Sequence, residues 1–479
     1  MNEDKEIIED KPFGTLFSRL SRGAGAQVYG QGVQMFIRLA EVPLLLSFWS
    51  PELYGEWLIL SAIPAYLSMG DIGFSTTAAR EMTMLNSAND KEGTLRVFQS
   101  TWILLLMLSG FIFAGMVFFV YLAPLDNWLG LQQISSVSLR IIILVLAVDV
   151  LLGFQAGLLN GSLWAVGRYP LGIGLSATMQ LLGFLGLALG LVIKNAPVSA
   201  AFGYLVGKSI SFFILLIAQK RNISWLSYGF RYAKLEEIRR LAAPSFASLA
   251  FPLGNAFNIQ GLRMIIGITL GPTAVAVFVP LRTLANFAMQ PRRIVNQLLQ
   301  PELGLAYGSQ NKELFKKLVL RACQLSFWSS TSIALILGIS GEQILSRWTV
   351  GKIPMHWPLY LFLLLSVIIN SLWYTALMVP YATNRHAPIA LLYFVIYGVA
   401  AFLLAYIFSL VYSINGIGIS LVIVEMIMAV FVIREALKLS TISSHEWLAV
   451  TFRPPFDLIN KTYDIAMNFL KKSIVKQKR

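Results

Sequence analysis

The chain has 479 residues, of which 56% are hydrophobic and only 13% are charged, and its mean hydropathy is +0.68. About twelve apolar stretches of roughly 20 residues recur along it, and about 20 residues at a rise of ~1.5 Å each cross the ~30 Å hydrocarbon core of a bilayer. No polar interruption exceeds about 30 residues, which is too short for a soluble enzyme domain. The composition therefore excludes a soluble protein and predicts an all-α polytopic membrane protein.

The charge balance and the metal-binding residue types narrow the class further. Lys and Arg number 38 against 24 Asp and Glu, a net charge of +14. In a membrane protein this excess indicates basic cytoplasmic loops rather than nucleic-acid binding, because Lys and Arg accumulate on the cytoplasmic side. The single cysteine, Cys323, and three scattered histidines predict neither a disulfide framework nor a metal site. No cofactor is expected.

Hydropathy predicts twelve membrane spans. An even number places both termini on one side of the membrane. Lys and Arg are concentrated in segments that are cytoplasmic if the termini lie inside, whereas the opposite loops hold Lys194, Arg347 and Lys352. Both termini are therefore predicted to be cytoplasmic. The predicted spans are residues 24–48, 55–77, 97–122, 139–163, 171–193, 197–219, 242–269, 273–291, 319–341, 357–380, 386–409 and 413–436, with a cytoplasmic loop at 292–318.

An internal repeat divides these spans into two halves. Shifting the chain by 221 residues aligns residues 50–55 with 271–276 and 90–92 with 311–313, at matching places in the order of spans. Such a repeat predicts two six-helix lobes related by an axis along the membrane normal, and transport by alternating access. The predicted organisation is a cytoplasmic amphipathic N-terminus (1–23), an N-lobe (24–219), a basic cytoplasmic linker (220–241), a C-lobe (242–436) and a basic amphipathic cytoplasmic tail (437–479).

One stretch resembles a known family. Tyr54-Gly55-Glu56-Trp57-Leu58 is followed by Tyr66-Leu67-Ser68-Met69-Gly70-Asp71-Ile72-Gly73-Phe74 and by Arg80. With the helix count and the repeat over residues 15–436, this run resembles the Wzx-type polysaccharide (O-antigen) flippases of the MATE/MOP superfamily. The resemblance implies a flippase of the bacterial cytoplasmic (inner) membrane. It would carry an undecaprenyl-diphosphate-linked oligosaccharide from the inner to the outer leaflet, with glycan polymerase or assembly proteins as possible partners.

Basic residues inside the predicted spans are the candidate substrate ligands. Arg38, Arg282, Arg263 and Lys208 fall within spans, where each charge costs about 2.5–3.5 kcal/mol on insertion scales unless it meets water or a partner. A cavity between lobes that holds several cations would suit a diphosphate, because a guanidinium binds phosphate oxygens in pairs. Gln27, Gln31 and Gln34 continue the face of Arg38, so Gln34 joins the predicted site.

Acidic residues inside the spans are the candidate coupling groups. An ion-driven carrier needs a carboxylate that binds and releases H⁺ or Na⁺, and Asp149 and Glu425 are the candidates. Asp71, with Arg80 beyond it, favours a gate or a helix-end salt bridge. Glu41 lies three residues after Arg38 on the same helical face and is assigned a gate or structural role; the alternative for Arg38 is that the two residues simply neutralise each other.

The two ends of the chain predict contacts with lipid rather than with protein partners. Residues 456–475 and the segment around Phe13–Leu20 have the spacing of amphipathic helices, which lie on the anionic inner leaflet. Membrane lipids are therefore expected partners.

Other functions stay open from the sequence. A MATE-type multidrug or cation antiporter, or a lipid II flippase, would share the architecture. A membrane glycan polymerase would need a large external or cytoplasmic insertion, and none is visible, so no enzyme activity is predicted. No Gly-x-x-x-x-Gly-Lys-Ser/Thr sequence occurs, which argues against ATP as the direct energy source.

Overall fold

The computed structural model describes residues 13–455 apart from Ile72, Ser248, Leu249, Asn384 and His386. This part of the chain is helical and contains no strand. The α-helices in chain order are Phe13–Phe48 (α1), Pro51–Leu67 (α2), Phe74–Ser87 (α3), Lys91–Leu122 (α4), Leu125–Leu129 (α5), Ser136–Ala165 (α6), Tyr169–Ile193 (α7), Pro197–Asn222 (α8), Leu235–Ala247 (α9), Ala250–Ala256 (α10), Leu262–Leu270 (α11), Pro272–Asn286 (α12), Gln290–Gly308 (α13), Lys312–Trp348 (α14), Trp357–Ala376 (α15), Met378–Ala382 (α16), Ala387–Tyr393 (α17), Ala401–Tyr412 (α18), Ile414–Ser440 (α19) and Ser444–Thr451 (α20).

The contacts divide the chain into two compact units. Unit 1 runs through Ala256 and includes residues 271–276 and 348–352, and unit 2 contains residues 257–270, 277–347 and the chain from Ile353 onward. The predicted bounds of the lobes, 24–219 and 242–436, stay a prediction.

All twelve predicted spans fall on helices, which confirms the all-α polytopic class. Nine helices or helix pairs in the described chain are long and apolar enough to cross a membrane. The first span, α1, carries a polar stripe of Gln27, Gln31 and Gln34 together with Arg38 and Glu41. These residues lower the hydropathy of the helix. The second and seventh spans are each divided into shorter helices, by a 3₁₀ turn at Ser68–Asp71 and a π-helix at Phe257–Gly261.

In two segments the secondary structure differs from the sequence-based expectation, while their predicted cytoplasmic location stays a prediction. The predicted cytoplasmic loop 292–318 is mostly helix, because α13 continues to Gly308 and α14 begins at Lys312. The charges of Arg292 and Arg293 lower the local hydropathy, but one face of α13 stays buried and sustains the helix. The segment Phe13–Leu20 is not a separate helix, since it is the first part of α1. The predicted tail helix 456–475 lies outside the described residues.

The internal repeat is visible in the positions of the helix starts. Three pairs of helices begin 221 residues apart: α2 and α12, α4 and α14, and α6 and α15. The caps repeat as well. Asp90 accepts a hydrogen bond from the Gly93 N–H at 2.7 Å, and Asn311 accepts one from the Leu314 N–H at 3.0 Å. Asn89 and Gln310, one residue before each cap, both have positive φ, at 59° and 55°. These shared local structures support the duplication predicted from the sequence.

In unit 1, α7 and α8 meet along a seam of glycines. A Cβ on Gly186 would lie 2.1 Å from the Gly203 carbonyl oxygen, and a Cβ on Gly203 would lie 2.1 Å from the Gly186 oxygen. Gly190 and Gly207 face the carbonyls of Ser199 and Leu182 at 2.2 and 2.0 Å in the same way. The helices therefore approach backbone to backbone, as small-xxx-small motifs allow in membranes.

The segment between α8 and α9, part of the predicted basic linker 220–241, is bound to α4. Gln99 donates to the Ser227 carbonyl and accepts from the Tyr232 N–H, both at 2.9 Å. Tyr228 packs its ring against Phe98 and Trp102. Burial raises the pKa of Tyr228 to about 12, so its phenol stays protonated at physiological pH. The linker is thus a fixed part of unit 1.

Candidate functional site

Among the described residues of unit 2, the most buried carboxylate is Glu425 on α19, which is 2% exposed. Asn370 donates its amide to both carboxylate oxygens, at 3.2 and 3.0 Å. Trp373 donates its indole N–H at 2.7 Å and Tyr397 its hydroxyl at 2.9 Å. All three donors are neutral, so they hold the carboxylate in place without cancelling its charge.

A chain of hydrogen bonds connects Glu425 to Arg282. Arg282 on α12 donates to the Asn258 carbonyl at 2.9 Å and to the Asn258 side-chain oxygen. Asn258 then donates its amide to the Tyr397 carbonyl at 3.2 Å, and the Tyr397 hydroxyl reaches Glu425. Arg282 was predicted to contact substrate, but in this structure its guanidinium holds the backbone around Asn258.

Two π-helices support this chain. Asn258 lies in the π-helix Phe257–Gly261, and Tyr397 lies in a second one at Phe394–Ala400. A π turn carries one residue more than an α turn, which turns its side chains out of the ordinary helical register, and such turns are frequent at functional sites. The ring of Phe257 meets that of Phe394 at a centroid distance of 6.1 Å. Between these two π turns, the Asn258 side chain donates to the Tyr397 backbone carbonyl, so a polar contact joins the two irregular segments.

The second buried charge of the cluster is Arg292 on α13. It is 4% exposed, and its guanidinium lies over the Tyr374 ring at 4.0 Å. Its Nε and Nη1 atoms have no hydrogen-bond partner among the described residues. One helical turn later, Asn296 is also buried, and neither polar atom of its side chain has a partner there. Arg292 and Arg282 both interact electrostatically with Glu425.

Arg292 and Asn296 were missed because the sequence placed them in a loop. The signal that could have found them is their i, i+4 spacing, which continues as Leu299 and Leu303 on the buried face of α13. These buried polar residues form one group, which we call the unit 2 polar cluster. It consists of Glu425, Arg282, Arg292 and Asn296 with the hydrogen-bond partners named above.

In unit 1, two of the predicted functional residues pair with each other. Asp149 on α6 and Lys208 on α8 form an ion pair at 3.8 Å. The Lys208 ammonium also lies 5.2 Å from the centre of the Tyr204 ring. Asp149 was predicted to bind the coupling ion and Lys208 to bind the substrate. In the structure, the charge of each residue neutralises that of the other.

The stripe on α1 is retained in the structure. Arg38 is exposed, as are Gln27 and Gln31, whereas Gln34 is half-buried. Glu41 is half-buried and interacts electrostatically with Tyr204. Gln27, Gln31 and Arg38 therefore lie on an open face of α1 that other protein groups among the described residues do not cover.

The other predicted residues have local roles. Asp71 accepts a hydrogen bond from the Ser75 N–H at 3.0 Å and so satisfies a free donor at the start of α3. Arg80, farther along α3, is exposed. Arg263 is half-buried and donates to the Gln260 side chain at 3.2 Å. Among the residues that the structure describes, no group of three or more His, Cys, Asp or Glu could hold a metal ion.

Comparisons with known proteins place the fold. No family model and no curated protein matches this chain. Among solved structures, an inward-facing multidrug resistance MATE family transporter of the MOP superfamily is similar at 17% identity and a TM-score of 0.72, covering 87% of this chain and 98% of that one. An outward-facing MATE family transporter of the same superfamily is similar at 17% identity and a TM-score of 0.60, covering 88% and 96%.

A third similar structure is a MOP superfamily transporter from Pyrococcus furiosus, described as having a binding pocket of reverse polarity that suggests a different function. It matches at 18% identity and a TM-score of 0.58, covering 88% of this chain and 96% of that one. The chain therefore has the fold of the MATE transporters of the MOP superfamily, with twelve transmembrane helices in two lobes.

Proposed function

We propose that this protein flips a lipid-linked oligosaccharide diphosphate, of the undecaprenyl type, from the inner to the outer leaflet of a bacterial cytoplasmic membrane. The product would serve O-antigen, capsule or exopolysaccharide synthesis, and an ion gradient would drive the movement. The MATE-like fold supports a carrier. The buried cations of unit 2, together with the sequence resemblance to Wzx-type flippases, support an anionic substrate.

The observation that carries the anionic substrate is that Nε and Nη1 of the buried Arg292 guanidinium have no hydrogen-bond partner among the described residues. A buried charge without hydrogen-bond partners is costly unless a ligand supplies them. Arg292 offers the three N–H groups of its Nε and Nη1 atoms and Asn296 offers its side-chain amide, all donors suited to phosphate oxygens. Arg292 thus replaces Arg282 as the main diphosphate contact in unit 2, while Arg38, Arg263, Lys208 and Gln34 stay proposed contributors.

The coupling carboxylate that we propose is Glu425 rather than Asp149. Asp149 has a cation, Lys208, within 4 Å, so protonation would leave the Lys208 charge uncompensated. Glu425 accepts hydrogen bonds from neutral donors, so it can take up H⁺ or Na⁺ without breaking a direct ion pair such as Asp149–Lys208. Its charge state sets the electrostatic field at Arg292, which connects the ion and the substrate within one unit.

The test uses the full-length protein in vesicles with a fluorescent lipid-linked oligosaccharide diphosphate. Because hydrogen bonds to charged groups contribute about 1.5–3 kcal/mol, we expect Arg292→Ala to slow flipping about 10- to 150-fold and Arg292→Lys to recover part of it. Arg293→Gln is the matched control, since Arg293 is the exposed neighbour on α13. Flipping by Arg292→Ala at the rate of the control would refute the anionic site.

The same vesicles test coupling. H⁺ and Na⁺ gradients are imposed separately, and Glu425→Gln is expected to make the rate independent of whichever gradient drives the unmodified protein. If Asp149→Asn abolishes the gradient response and Glu425→Gln does not, the coupling assignment is wrong.

One observation favours a second function, export of organic cations by a MATE-type antiporter. Glu425 is surrounded by the rings of Trp373, Tyr393 and Tyr397, and a carboxylate with aromatic neighbours suits a cationic ligand. A fluorescent cationic dye in the same vesicles distinguishes the two. Gradient-dependent dye movement without lipid flipping would establish the antiporter.

A further inference from the structure

The end of α19 and the short helix α20 enclose a groove that the proposed transport mechanism does not use. Its volume is about 690 Å³. It lies on the side of α19 that faces away from Glu425, since Glu425, Met428 and Val432 are buried whereas Val430 and Arg434 are exposed. The lining residues are Ala429, Val430, Ile433, Arg434, Leu437, Lys438, Thr441, Ile442, Ser443, Ser444, Trp447 and Leu448.

The polarity of the groove changes in order along the axis of α19. Val430 and Ile433 form the end nearer the middle of the helix. Arg434 and Lys438, one turn apart, follow, and the hydroxyl of Ser444 lies beyond them at the turn into α20. Because α19 is a membrane-spanning candidate, this order runs from the hydrocarbon region towards the headgroup region. A phospholipid has the same sequence of apolar chain, phosphate and polar headgroup.

One wall of the groove is formed by α19 and the other by α20. Contacts within the protein fix the α20 wall before any ligand binds. Trp447 on α20 is 4% exposed. After α20, the ring of Phe452 meets that of Phe327 on α14 at a centroid distance of 4.9 Å, and the Arg453 carbonyl accepts a hydrogen bond from Gln324 at 2.8 Å. These contacts fix the end of α20 against α14, so the groove is a built feature of unit 2. Leu448, 48% exposed, presents an apolar side chain on this wall.

The charge of the groove selects the kind of lipid. Its two charged lining residues, Arg434 and Lys438, are both basic and exposed, and no carboxylate is among the lining residues. We propose that the groove binds an anionic phospholipid of the surrounding bilayer. Its phosphate lies between Arg434 and Lys438, and one acyl chain lies along Val430 and Ile433 against Leu448.

The experiment titrates the purified full-length protein in nonionic detergent with phosphatidylglycerol and counts bound lipid by native mass spectrometry. Since a basic residue near anionic lipid contributes about a fivefold change in affinity, Arg434→Gln/Lys438→Gln is expected to weaken binding about 25-fold. The matched control is Lys220→Gln/Arg221→Gln, which removes two basic residues from the last turn of α8 and is expected to leave this binding unchanged.

Three further arms identify the ligand and the site. Phosphatidylcholine is expected to bind at least tenfold more weakly, and glycerol 3-phosphate to show no binding, because it lacks the acyl chains. Leu448→Asp, which puts a carboxylate in the groove, is expected to weaken phosphatidylglycerol binding without altering the gel-filtration profile. Equal binding of the two lipids would overturn the proposal, as would equal losses in the α19 and α8 double variants.

Discussion

Glu56 on α2 shows how a charged side chain of the motif region serves the fold. It is 1% exposed, and its carboxylate accepts hydrogen bonds from the N–H groups of Gln132, Gln133 and Ile134 at 2.6, 2.8 and 2.8 Å. These three donors belong to the turn before α6, which has no regular structure to satisfy them. Glu56 therefore anchors that turn and is not a candidate for transport.

We predict that Glu56→Gln lowers stability by about 1–3 kcal/mol, because one amide N–H₂ would face a backbone N–H and leave it unsatisfied. The melting temperature in detergent measures the change. Glu52→Gln, at the exposed first turn of the same helix, should shift the midpoint much less. Equal midpoints for the two variants would contradict the anchoring role.

At this scale the sequence predicted some functional residues and missed others for clear reasons. Glu425 could be found because a carboxylate inside an apolar run is unusual by itself. The Asp149–Lys208 pair could not, since its members lie on different helices and only the packing of α6 against α8 joins them. Arg292 was missed because its own charge lowers the local hydropathy. A buried helix face was therefore predicted to be a loop.

At the scale of elements, the glycine seam between α7 and α8 is a backbone-to-backbone contact of unit 1. Any Cβ at Gly203 must move a carbonyl of the facing helix, and the backbone cannot yield as a flexible side chain can. The seam also has a sequence signal, the spacing of four residues within each glycine pair.

We therefore predict that Gly203→Val separates α7 from α8 and costs more than the ~1–3 kcal/mol usual for overpacking. Gly174→Ala on α7 is the control, because nothing lies within 4 Å of a Cβ at that position. Thermal unfolding in detergent compares the two. A Gly203→Val protein as stable as the Gly174→Ala protein would show that the seam can open without loss.

The helix interruptions mark the limit of prediction for elements. Hydropathy predicted stretches that all fall on helices, because apolar length is a property of the local sequence. The π-helices at Phe257–Gly261 and Phe394–Ala400 carry no comparable signal. Their polar residues Asn258 and Tyr397 are joined to each other and to Arg282 by hydrogen bonds that exist only after the helices have packed.

At the scale of the whole molecule, the repeat and the distribution of charge make a prediction about topology. Cys323 is fully buried, so a cysteine introduced at the surface is the accessible one. In intact cells, a membrane-impermeant maleimide should label Val350→Cys. It should label Ser224→Cys and Ser309→Cys only after permeabilisation. All three positions are exposed in the structure.

Labelling of Ser309→Cys in intact cells would refute the six-plus-six arrangement. It would place the turn between α13 and α14 on the same side as Val350. The unmodified protein, with Cys323 alone, is the control for background labelling.

The reciprocal glycines of the α7–α8 seam also constrain how this sequence can evolve. Gly186 and Gly203 each face the other's carbonyl oxygen, so a change at one position is not relieved by a change at the other. Every other amino acid adds a Cβ, and no smaller residue exists to compensate. Substitutions along the seam therefore cannot accumulate stepwise, and diverging descendants should keep these glycines while the exposed faces of the same helices vary freely.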